Sequence, residues 1–386
     1  MKVSSLKIDL FCLVIDNFGD AGVCWRLARQ LVNEHDCRVT LWIDKPSVLK
    51  RIIAGMDDRL ERQTVSGVDV RLWPEVFPGL SRDGIADVVI EGFGARLPES
   101  YVRLMAQKKP HPVWINLEYL SAESWVQDCH LLASPQSWID LTKYFYFPGF
   151  TDRTGGLIRE KSIVSERENF QLDRQNAIGF LSRLGVKASP EQWMVSLFCY
   201  PDAPVMALLD SLARLEKKVL CVIPEGVATE QVESFIRQKA IAGARFESGN
   251  LAVQVLPMLE QDDYDRLLWS CDFNFIRGED SFVRAQWAAR PFTWHIYPQD
   301  EDAHMVKLNA FLDLYLSGLP EEKTADIRFF WNSWNERINE KAISDCRVNL
   351  DKIPPEWTQY ATDWFKKLTD REDLASRLLR FINTLR

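Results

Sequence analysis

The alternation of short apolar runs with amphipathic segments predicts an α/β protein. Residues 8–15 are almost continuously apolar, as expected of a buried parallel strand. Apolar positions then recur at helical spacing, at Val23, Leu27 and Leu31. Further runs predict strands at residues 38–43, 68–73, 87–90, 113–117, 131–133 and 144–147, with a helix at 99–107. This order predicts a twisted, mostly parallel sheet covered by helices on both faces.

The second half of the chain repeats the pattern. Its predicted strands are residues 193–200, 219–223, 251–256 and 273–276, and its predicted helices are 205–215, 230–239 and 264–270. Between the halves, a loop at 150–156 leads into the polar stretch 160–176, where we place the domain boundary. We therefore predict one domain at 1–160 and a second at 177–361. A terminal helix at about 362–386 is expected to pack back on the first domain.

Composition narrows the function classes. The chain has 386 residues, of which 46% are hydrophobic, enough for two domain cores. The net charge of −8 argues against a nucleic-acid surface, and no apolar run reaches the ~20 residues that span a bilayer. The eight cysteines show no C-x-x-C pairing, and several lie in or beside strand patterns. Buried reduced thiols of this kind favour a cytoplasmic location.

Two carboxylates follow the first predicted strand, in the turn DNFGDAG at residues 16–22. Gly19 allows close backbone approach, but the spacing differs from G-x-G-x-x-G, so a dinucleotide site is weakly supported. Asp16 and Asp20 either cap a helix beginning near residue 21 or form an acidic pair that meets a cation or a proton. In the second case one of them acts as a general base, and Asn17, Phe18 and Gly19 form a loop for the acceptor.

A second strand-to-helix turn has the opposite character. The run Arg277-Gly278-Glu279-Asp280-Ser281 follows the apolar residues 273–276, and we expect Asp280 or Ser281 to be the helix N-cap. The free N–H groups and the positive end of the helix dipole attract phosphate, and Arg277 adds a cation. Glu279 suits sugar hydroxyls. An ordinary capped strand–turn–helix explains the same residues without a ligand.

Four residues nearby are candidates for nucleobase contacts. Phe198 and Tyr200 end a predicted strand and can stack a base, or they can simply pack in the core. Gln261 and Tyr264 can read a base edge, or they can be ordinary residues at the start of a helix.

The segment 295–304 holds the remaining candidates for chemistry. Residues 300–302 read D-x-D, a pattern that holds metal–diphosphate in some glycosyltransferases, but acidic residues at a helix start also favour the dipole. Because the anion site at 277–281 needs no metal, we expect neither metal nor cofactor. His295 and His304 are possible catalytic groups, although a lone histidine is more often structural.

Four long strings carry a resemblance to a known family: DNFGDAGVCWRLARQL, WINLEYLSAESW, GFTDRTGGLIRE and RGEDSFVRAQWAARPFTWHIYPQDEDAH. Together they resemble the bacterial protein-arginine rhamnosyltransferases that mature elongation factor P (the EarP family), in the same order over nearly the whole chain. The resemblance implies a GT-B fold, in which two Rossmann-like domains face a cleft. It also implies an inverting transfer from dTDP-β-L-rhamnose to an arginine of elongation factor P.

The resemblance assigns roles position by position. It implies that Asp16 and Asp20 are the essential acidic pair, with Asp20 as the base. The implied donor-binding set is Arg277, Glu279, Asp280, Ser281, Phe198, Tyr200 and Gln261. Met258 departs from the family, whose members tend to have a phenylalanine near the thymine, but a thioether can also lie against a base.

Two other classes of function remain open. One is a nucleotide-sugar transferase of the same fold that acts on a glycan or a lipid. The other is a non-catalytic nucleotide-sugar binder. The acidic pair argues against the binder, because a protein that only binds the donor has no need of a base.

Overall fold

The chain forms two α/β units. The computed structural model describes residues 5–16, 18–74, 77, 79–336, 350 and 356–386. The first unit comprises residues 1–161 together with 370–386, and the second comprises residues 162–369. Within the described residues, no helix is long and apolar enough to cross a bilayer.

The first unit contains an eight-stranded sheet. Its strands are β1 (Lys7–Cys12), β2 (Arg38–Ile43), β3 (Arg62–Val65), β4 (Val68–Leu72), β5 (Val88–Gly92), β6 (Val113–Leu117), β7 (Ala133–Pro135) and β8 (Thr142–Tyr146). Its helices are α1 (Phe18–His35), α2 (Pro46–Lys50), α3 (Glu99–Gln107) and α4 (Val126–Cys129). The strand order is β3-β4-β2-β1-β5-β6-β8-β7. Only the two edge pairings, β3 with β4 and β7 with β8, are antiparallel.

The second unit has a six-stranded sheet in the order β11-β12-β10-β9-β13-β14, in which only β11 is antiparallel. The strands are β9 (Trp193–Leu197), β10 (Val219–Pro224), β11 (Arg245–Ser248), β12 (Leu251–Leu256), β13 (Phe273–Arg277) and β14 (Phe292–His295). The helices are α5 (Ile163–Gln171), α6 (Arg174–Arg183), α7 (Val205–Arg214), α8 (Thr229–Ile236), α9 (Gln261–Ser270), α10 (Glu279–Ala288), α11 (Ala303–Tyr315), α12 (Glu321–Asn335) and α13 (Trp357–Thr369). The last helix of the chain, α14 (Leu374–Leu385), belongs to the first unit.

Each sheet has a topological switch point, where the chain leaves one strand and later returns on its other side. In the first unit the switch point lies between β1 and β5, because β2 lies on the far side of β1. In the second unit it lies between β9 and β13, because β10 lies on the far side of β9. Ligands of open α/β sheets bind beyond the carboxyl ends of the strands at such points.

The division of the chain differs in detail from the one we predicted. The boundary falls near the start of the polar stretch 160–176, because the second unit begins at Ser162 and the rest of the stretch contains α5 and part of α6. Helix α13 also belongs to the second unit, where the indole Nε1 of Trp364 donates to Gln286 Oε1 at 2.6 Å. Helix α14 packs on the first unit, to which it belongs, and Gln30 Nε2 donates there to Asp373 Oδ1 at 3.0 Å. Most of the polar residues of α5 lie on its exposed faces, so the sequence pattern did not reveal the helix.

Most predicted strands are present, with two kinds of difference. Strand β1 ends at Cys12 and β9 at Leu197, each three residues before the predicted end, so the residues that follow belong to loops at the carboxyl edge. Three strands were missed: β3, β11 and β14. The first two are four-residue antiparallel edge strands with exposed polar positions, and β14 is a four-residue strand. Runs this short are barely distinguishable from loops by periodicity.

Large aromatic side chains fill both cores. In the first unit the Phe11 ring stacks on Trp42 with centroids 5.9 Å apart, and Tyr101 meets Phe11 edge to face at 4.9 Å. In the second unit Phe282 of α10 stacks on Trp294 of β14 at 4.0 Å. Fully burying one such side chain contributes about 1.5–3 kcal/mol. The stacked pair therefore anchors α10, and with it the turn at its start, to the sheet.

Candidate active site

The Asp16–Asp20 turn lies at the switch point of the first unit, directly beyond β1. Helix α1 begins at Phe18, three residues earlier than predicted, so Asp20 lies in its first turn. The Asp20 carboxylate reaches back: the backbone N–H groups of Ile15 and Asp16 both donate to Oδ2 at 2.7 Å. It therefore shapes the turn as a cap does. Oδ1 accepts one hydrogen bond from the Tyr119 hydroxyl at 3.1 Å, and a carboxylate oxygen has room for a second.

Burial makes the Asp20 carboxylate more basic. Its side chain is 1% exposed, and this desolvation raises its pKa above the usual aspartate value. The hydrogen bonds from Asp16, Ile15 and Tyr119 oppose the rise, and the charge of Asp44 adds to it. A carboxylate with a raised pKa is a stronger base once it is ionised. Asp16 is partly exposed, which suits contact with an acceptor.

Two groups that support this turn were not singled out from the sequence. Tyr119 follows β6 and stacks on Phe93, which follows β5, with ring centroids 4.4 Å apart. Asp44, directly after β2, accepts a hydrogen bond from the Val14 N–H at 2.9 Å. Both belong to loops at the carboxyl edge of the same sheet. Tyr119 lies within one of the four strings quoted above. A correct prediction of the strand order would have placed it at the same sheet edge as Asp20.

The loop expected to face the acceptor is described in part. Asn17 lies outside the described residues. Phe18 starts α1, and the guanidinium carbon of Arg51 lies 5.1 Å from the centroid of its ring. The Gly19 N–H donates to the Asp16 carbonyl at 2.7 Å, which closes the turn tightly around the two aspartates.

The second turn lies at the switch point of the second unit, between β13 and α10. Our prediction that Asp280 or Ser281 caps the helix is wrong: α10 begins at Glu279, and Gly278 is the N-cap. Gly278 has φ +68° and ψ 179°, a conformation open essentially to glycine alone. With no side chain on the cap residue, the first N–H groups of α10 receive no oxygen from it. They suit an external anion instead.

Arg277 and the two candidate aromatic residues form one cluster. The Arg277 guanidinium carbon lies 4.6 Å from the ring centroid of Phe198 and 4.7 Å from that of Tyr200. The geometry is that of a cation–π interaction with both rings. Both rings are 7% exposed, so they hold the cation in place at the end of β13. Phe198 also contacts the Tyr264 ring, with centroids 5.6 Å apart.

The remaining donor candidates divide into two groups. Gln261, the first residue of α9, donates from Nε2 to Asp280 Oδ2 at 3.0 Å, which ties the starts of α9 and α10 together. Glu279 and Ser281 lie in the same first turn of α10 as Asp280. Met258 is half-buried beyond β12, which is separated from β9 by β10. It therefore lies at the same edge, but about 10 Å along the sheet from the aromatic pair.

The two histidines hold backbone groups in place. His295 Nδ1 accepts from the Tyr200 N–H at 3.1 Å, and His304 Nδ1 accepts from the Gln299 N–H at 3.2 Å. Burial lowers the pKa of His295 to about 4, so the ring is neutral at physiological pH. Both roles are structural.

No metal site is evident among the described residues. No group of three or more His, Cys, Asp or Glu side chains within the part of the chain that the structure describes is placed to hold a metal ion. The Asp300 side chain of the D-x-D segment lies outside that description.

Two Rossmann-like units are the architecture of the GT-B glycosyltransferases, and the protein is a glycosyltransferase of this class. Over residues 8–383 the chain matches the family described as Elongation-Factor P (EF-P) rhamnosyltransferase EarP. The chain belongs to this family, as its sequence strings indicated.

Individual relatives agree with this assignment over their whole length. A protein-arginine rhamnosyltransferase of Pseudomonas aeruginosa is 43% identical over 374 residues, covering 97% of this chain and 98% of the relative. The Shewanella oneidensis enzyme of the same name is 39% identical, with 97% of each chain covered. A structure solved to explain EarP-mediated arginine glycosylation of translation elongation factor EF-P superposes with a TM-score of 0.67 at 32% identity, covering 98% of this chain and 99% of the other.

Proposed function

We propose that this protein transfers L-rhamnose from dTDP-β-L-rhamnose to the guanidinium of an arginine in translation elongation factor P, with inversion at the anomeric carbon. The relatives named above support the reaction and the acceptor. The chemistry of the two turns supports the division of labour: an acidic turn for a cationic acceptor, and a cationic turn for a diphosphate donor.

The acceptor is a difficult nucleophile, which explains the need for carboxylates. A guanidinium is charged at any working pH, and its nitrogens share one delocalised system. Carboxylates hold this planar group by forked hydrogen bonds and localise its charge on one nitrogen. Asp20 takes the proton as the nitrogen attacks the anomeric carbon, and Asp16 orients the acceptor. The raised pKa of Asp20, caused by its burial, increases its basicity for this step.

The donor turn stabilises the departing group. As the C–N bond forms, the bond from the anomeric carbon to the dTDP oxygen breaks, and its electron pair remains on the diphosphate. Arg277 and the first N–H groups of α10 are groups of the kind that stabilise this charge. Glu279 accepts from sugar hydroxyls. The nucleoside part of the donor is contacted by Phe198, Tyr200, Gln261 and Met258.

A reaction of this kind needs no metal, and we propose that the enzyme uses none. A permanent guanidinium and uncapped helix N–H groups replace the cation that other glycosyltransferases place on the diphosphate. The acceptor is a translation factor, so the reaction takes place in the cytoplasm.

The single observation that carries the proposal is the position of the two turns. Each lies at the switch point of its own sheet, where bound ligands of doubly wound folds are found. Family membership alone would not explain why these two short segments, of opposite chemistry, occupy equivalent places.

Intact-mass spectrometry of elongation factor P tests the proposal. We expect the mass of one deoxyhexosyl residue to be added in the presence of enzyme and dTDP-β-L-rhamnose, and no addition when the target arginine is changed to lysine. A factor that stays unmodified while a glycan or lipid acceptor is rhamnosylated would establish the second transferase class. Binding of dTDP without transfer to any acceptor would establish the non-catalytic binder.

A further inference from the structure

A cavity of about 520 Å³ lies at the edge of the second unit's sheet opposite to the one that holds Phe198 and Arg277. Its lining residues include Trp193 at the start of β9, Asp272 just before β13, and Arg290 two residues before β14. These are the amino ends of parallel strands, whereas Phe198 and Arg277 are at the carboxyl ends. The length of β9 separates Trp193 from Phe198 by about 16 Å. The cavity is therefore distinct from the proposed donor site.

Arg290 is the unusual group in this cavity. Its Nε is buried and has no hydrogen-bond partner among the residues that the structure describes. Burial lowers the pKa of its guanidinium, repulsion from Arg174 lowers it further, and attraction to Asp272 opposes both. A buried cationic donor without an acceptor is costly, and natural structures rarely keep one without a purpose.

The Asp272 carboxylate, which attracts Arg290, already has other hydrogen-bond partners. Asp272 accepts from Arg174 through both oxygens, at 2.8 Å each, and its Oδ2 also accepts from the Met194 N–H at 2.8 Å. This bidentate pair fixes the wall of the cavity. Arg290 lines the cavity beside this pair, and its Nε has no acceptor among the described residues.

The rest of the lining suits a ligand with one anionic end and one flat end. Phe170, Trp193 and Trp269 supply aromatic surface, and the Lys217 ammonium lies 3.7 Å from the Trp193 ring centroid. The lining also includes two exposed carboxylates with local partners. Asp173 accepts from the Gln175 N–H at 2.8 Å, and Glu191 accepts from the Ser189 hydroxyl at 2.7 Å.

We propose that this cavity binds a small organic oxyanion, a phosphate monoester or a carboxylate attached to a planar group, with Arg290 as its anchor. The forked guanidinium matches either oxyanion through two parallel hydrogen bonds. The volume is in the usual range for small-molecule sites, about 300–1,000 Å³, and exceeds what a bare ion fills. The proposal does not depend on the rhamnosyl transfer, because it concerns the other edge of the sheet.

Calorimetric titration of the full chain with phenyl phosphate, benzoate and inorganic phosphate tests the site. We expect saturable binding of phenyl phosphate or benzoate, and the tighter of the two identifies the oxyanion. Arg290→Met should weaken that binding by about tenfold or more, since a charged hydrogen-bond partner is lost. Arg214→Met removes an exposed arginine of the same unit and should change the Kd by less than about twofold. Arg277→Gln should also leave it unchanged, which separates the site from the donor turn.

Two further measurements keep the test decisive if Arg290→Met alters the fold. Lys217→Met changes an exposed rim residue and should weaken binding by about threefold, with a smaller salt dependence. Without ligand, Arg290→Met should raise the Tm, because it removes a guanidinium whose Nε is buried without an acceptor. Absence of saturable binding of all three probes at about 10 mM would overturn the proposal. Binding that is lost in Arg277→Gln but kept in Arg290→Met would overturn it as well.

Discussion

The two strand-to-helix turns of this molecule share one arrangement of strand, turn and helix, but they present charges of opposite sign. Both follow a parallel strand at a switch point, and both lead into a helix that packs on the sheet. In the first turn the carboxylate of Asp20 bends back onto the N–H groups of Ile15 and Asp16, so the turn satisfies itself. In the second, the cap residue Gly278 has no side chain to accept from the first N–H groups of α10, which therefore suit an external anion.

The difference lies in where the charge is held. Asp20 is buried, and its ionised form is costly, which suits a group that must accept a proton. Arg277 lies against two aromatic rings, which position a permanent cation without neutralising it. The comparison teaches that one strand–turn–helix arrangement can present either sign of charge. The choice depends on one or two side chains and on whether the cap residue has one.

The largest effect is expected from Asp20→Asn, which tests whether the first turn holds a base or only a cap. The amide oxygen can still accept from Ile15 and Asp16, so the turn should keep its shape while the base is lost. We expect kcat to fall by about 10²–10⁴-fold. The mass assay on elongation factor P measures this, with Asp83→Asn, an exposed aspartate of the same unit, as the control. If Asp20→Asn reacted at the wild-type rate, Asp20 would be a structural cap and not the base.

The same variant has a signature in stability. Because the folded-state pKa of Asp20 is raised, its contribution to stability is present below the unfolded-state pKa and is lost as pH rises through the folded-state pKa. The wild type therefore loses stability through this group as pH rises, and Asp20→Asn does not. In thermal unfolding between about pH 4 and about pH 8, the Tm of the variant should therefore rise relative to that of the wild type as the pH increases.

Arg277→Gln tests the cation of the second turn and should have the next largest effect. Loss of one charge-assisted contact to the diphosphate should weaken dTDP binding by about 10- to 100-fold. Calorimetric titration with dTDP measures the Kd, and Arg328→Gln, which breaks a surface pair with Asp313, is the control. An unchanged Kd in Arg277→Gln would mean that the helix N–H groups alone hold the anion.

Gly278→Ala tests the backbone of the second turn. A side chain at φ +68° and ψ 179° is strained, so we expect the free energy of unfolding to fall by about 1–3 kcal/mol. Gly179→Ala is a matched control with the opposite sign. That glycine lies inside α6 with open space around an added Cβ, so alanine should raise stability by up to about 1 kcal/mol. Equal effects of the two changes in chemical denaturation would refute the account of this turn.

The smallest effect is expected from Tyr119→Phe, which tests how the Tyr119 hydroxyl affects Asp20 in the first turn. The Tyr119 hydroxyl lowers the pKa of Asp20, so its removal should raise that pKa. Since the base must be ionised, the acid limb of the kcat/KM profile should move to higher pH while the plateau changes little. Tyr144→Phe, a tyrosine on β8 that packs on Phe381, should leave the limb in place. A limb that moves to lower pH, or does not move, would argue against Asp20 as the titrating group.

The amino-acid sequence by itself determined the alternation of strands and helices, the two-unit organisation and the two turns to which we assign the chemistry. Those features are local: a buried strand needs a continuous apolar run, and its end is marked where polar residues begin. The four strings also indicated the family. Short polar edge strands such as β3 and β11, and the helix α5 in a polar stretch, lacked a local signal strong enough to be recognised.

Only the tertiary structure decided which groups meet. Tyr119 is 99 residues from Asp20 and Asp280 is 19 from Gln261, and each pair forms because its strands or helices become neighbours in the fold. The helix cap at Gly278 and the contact of the Asp20 carboxylate with the preceding N–H groups depend on backbone angles, and the place of Arg290 in its cavity depends on the packing of several elements. Burial, charge partners and pKa values are properties of an assembled environment, so no window of sequence contains them.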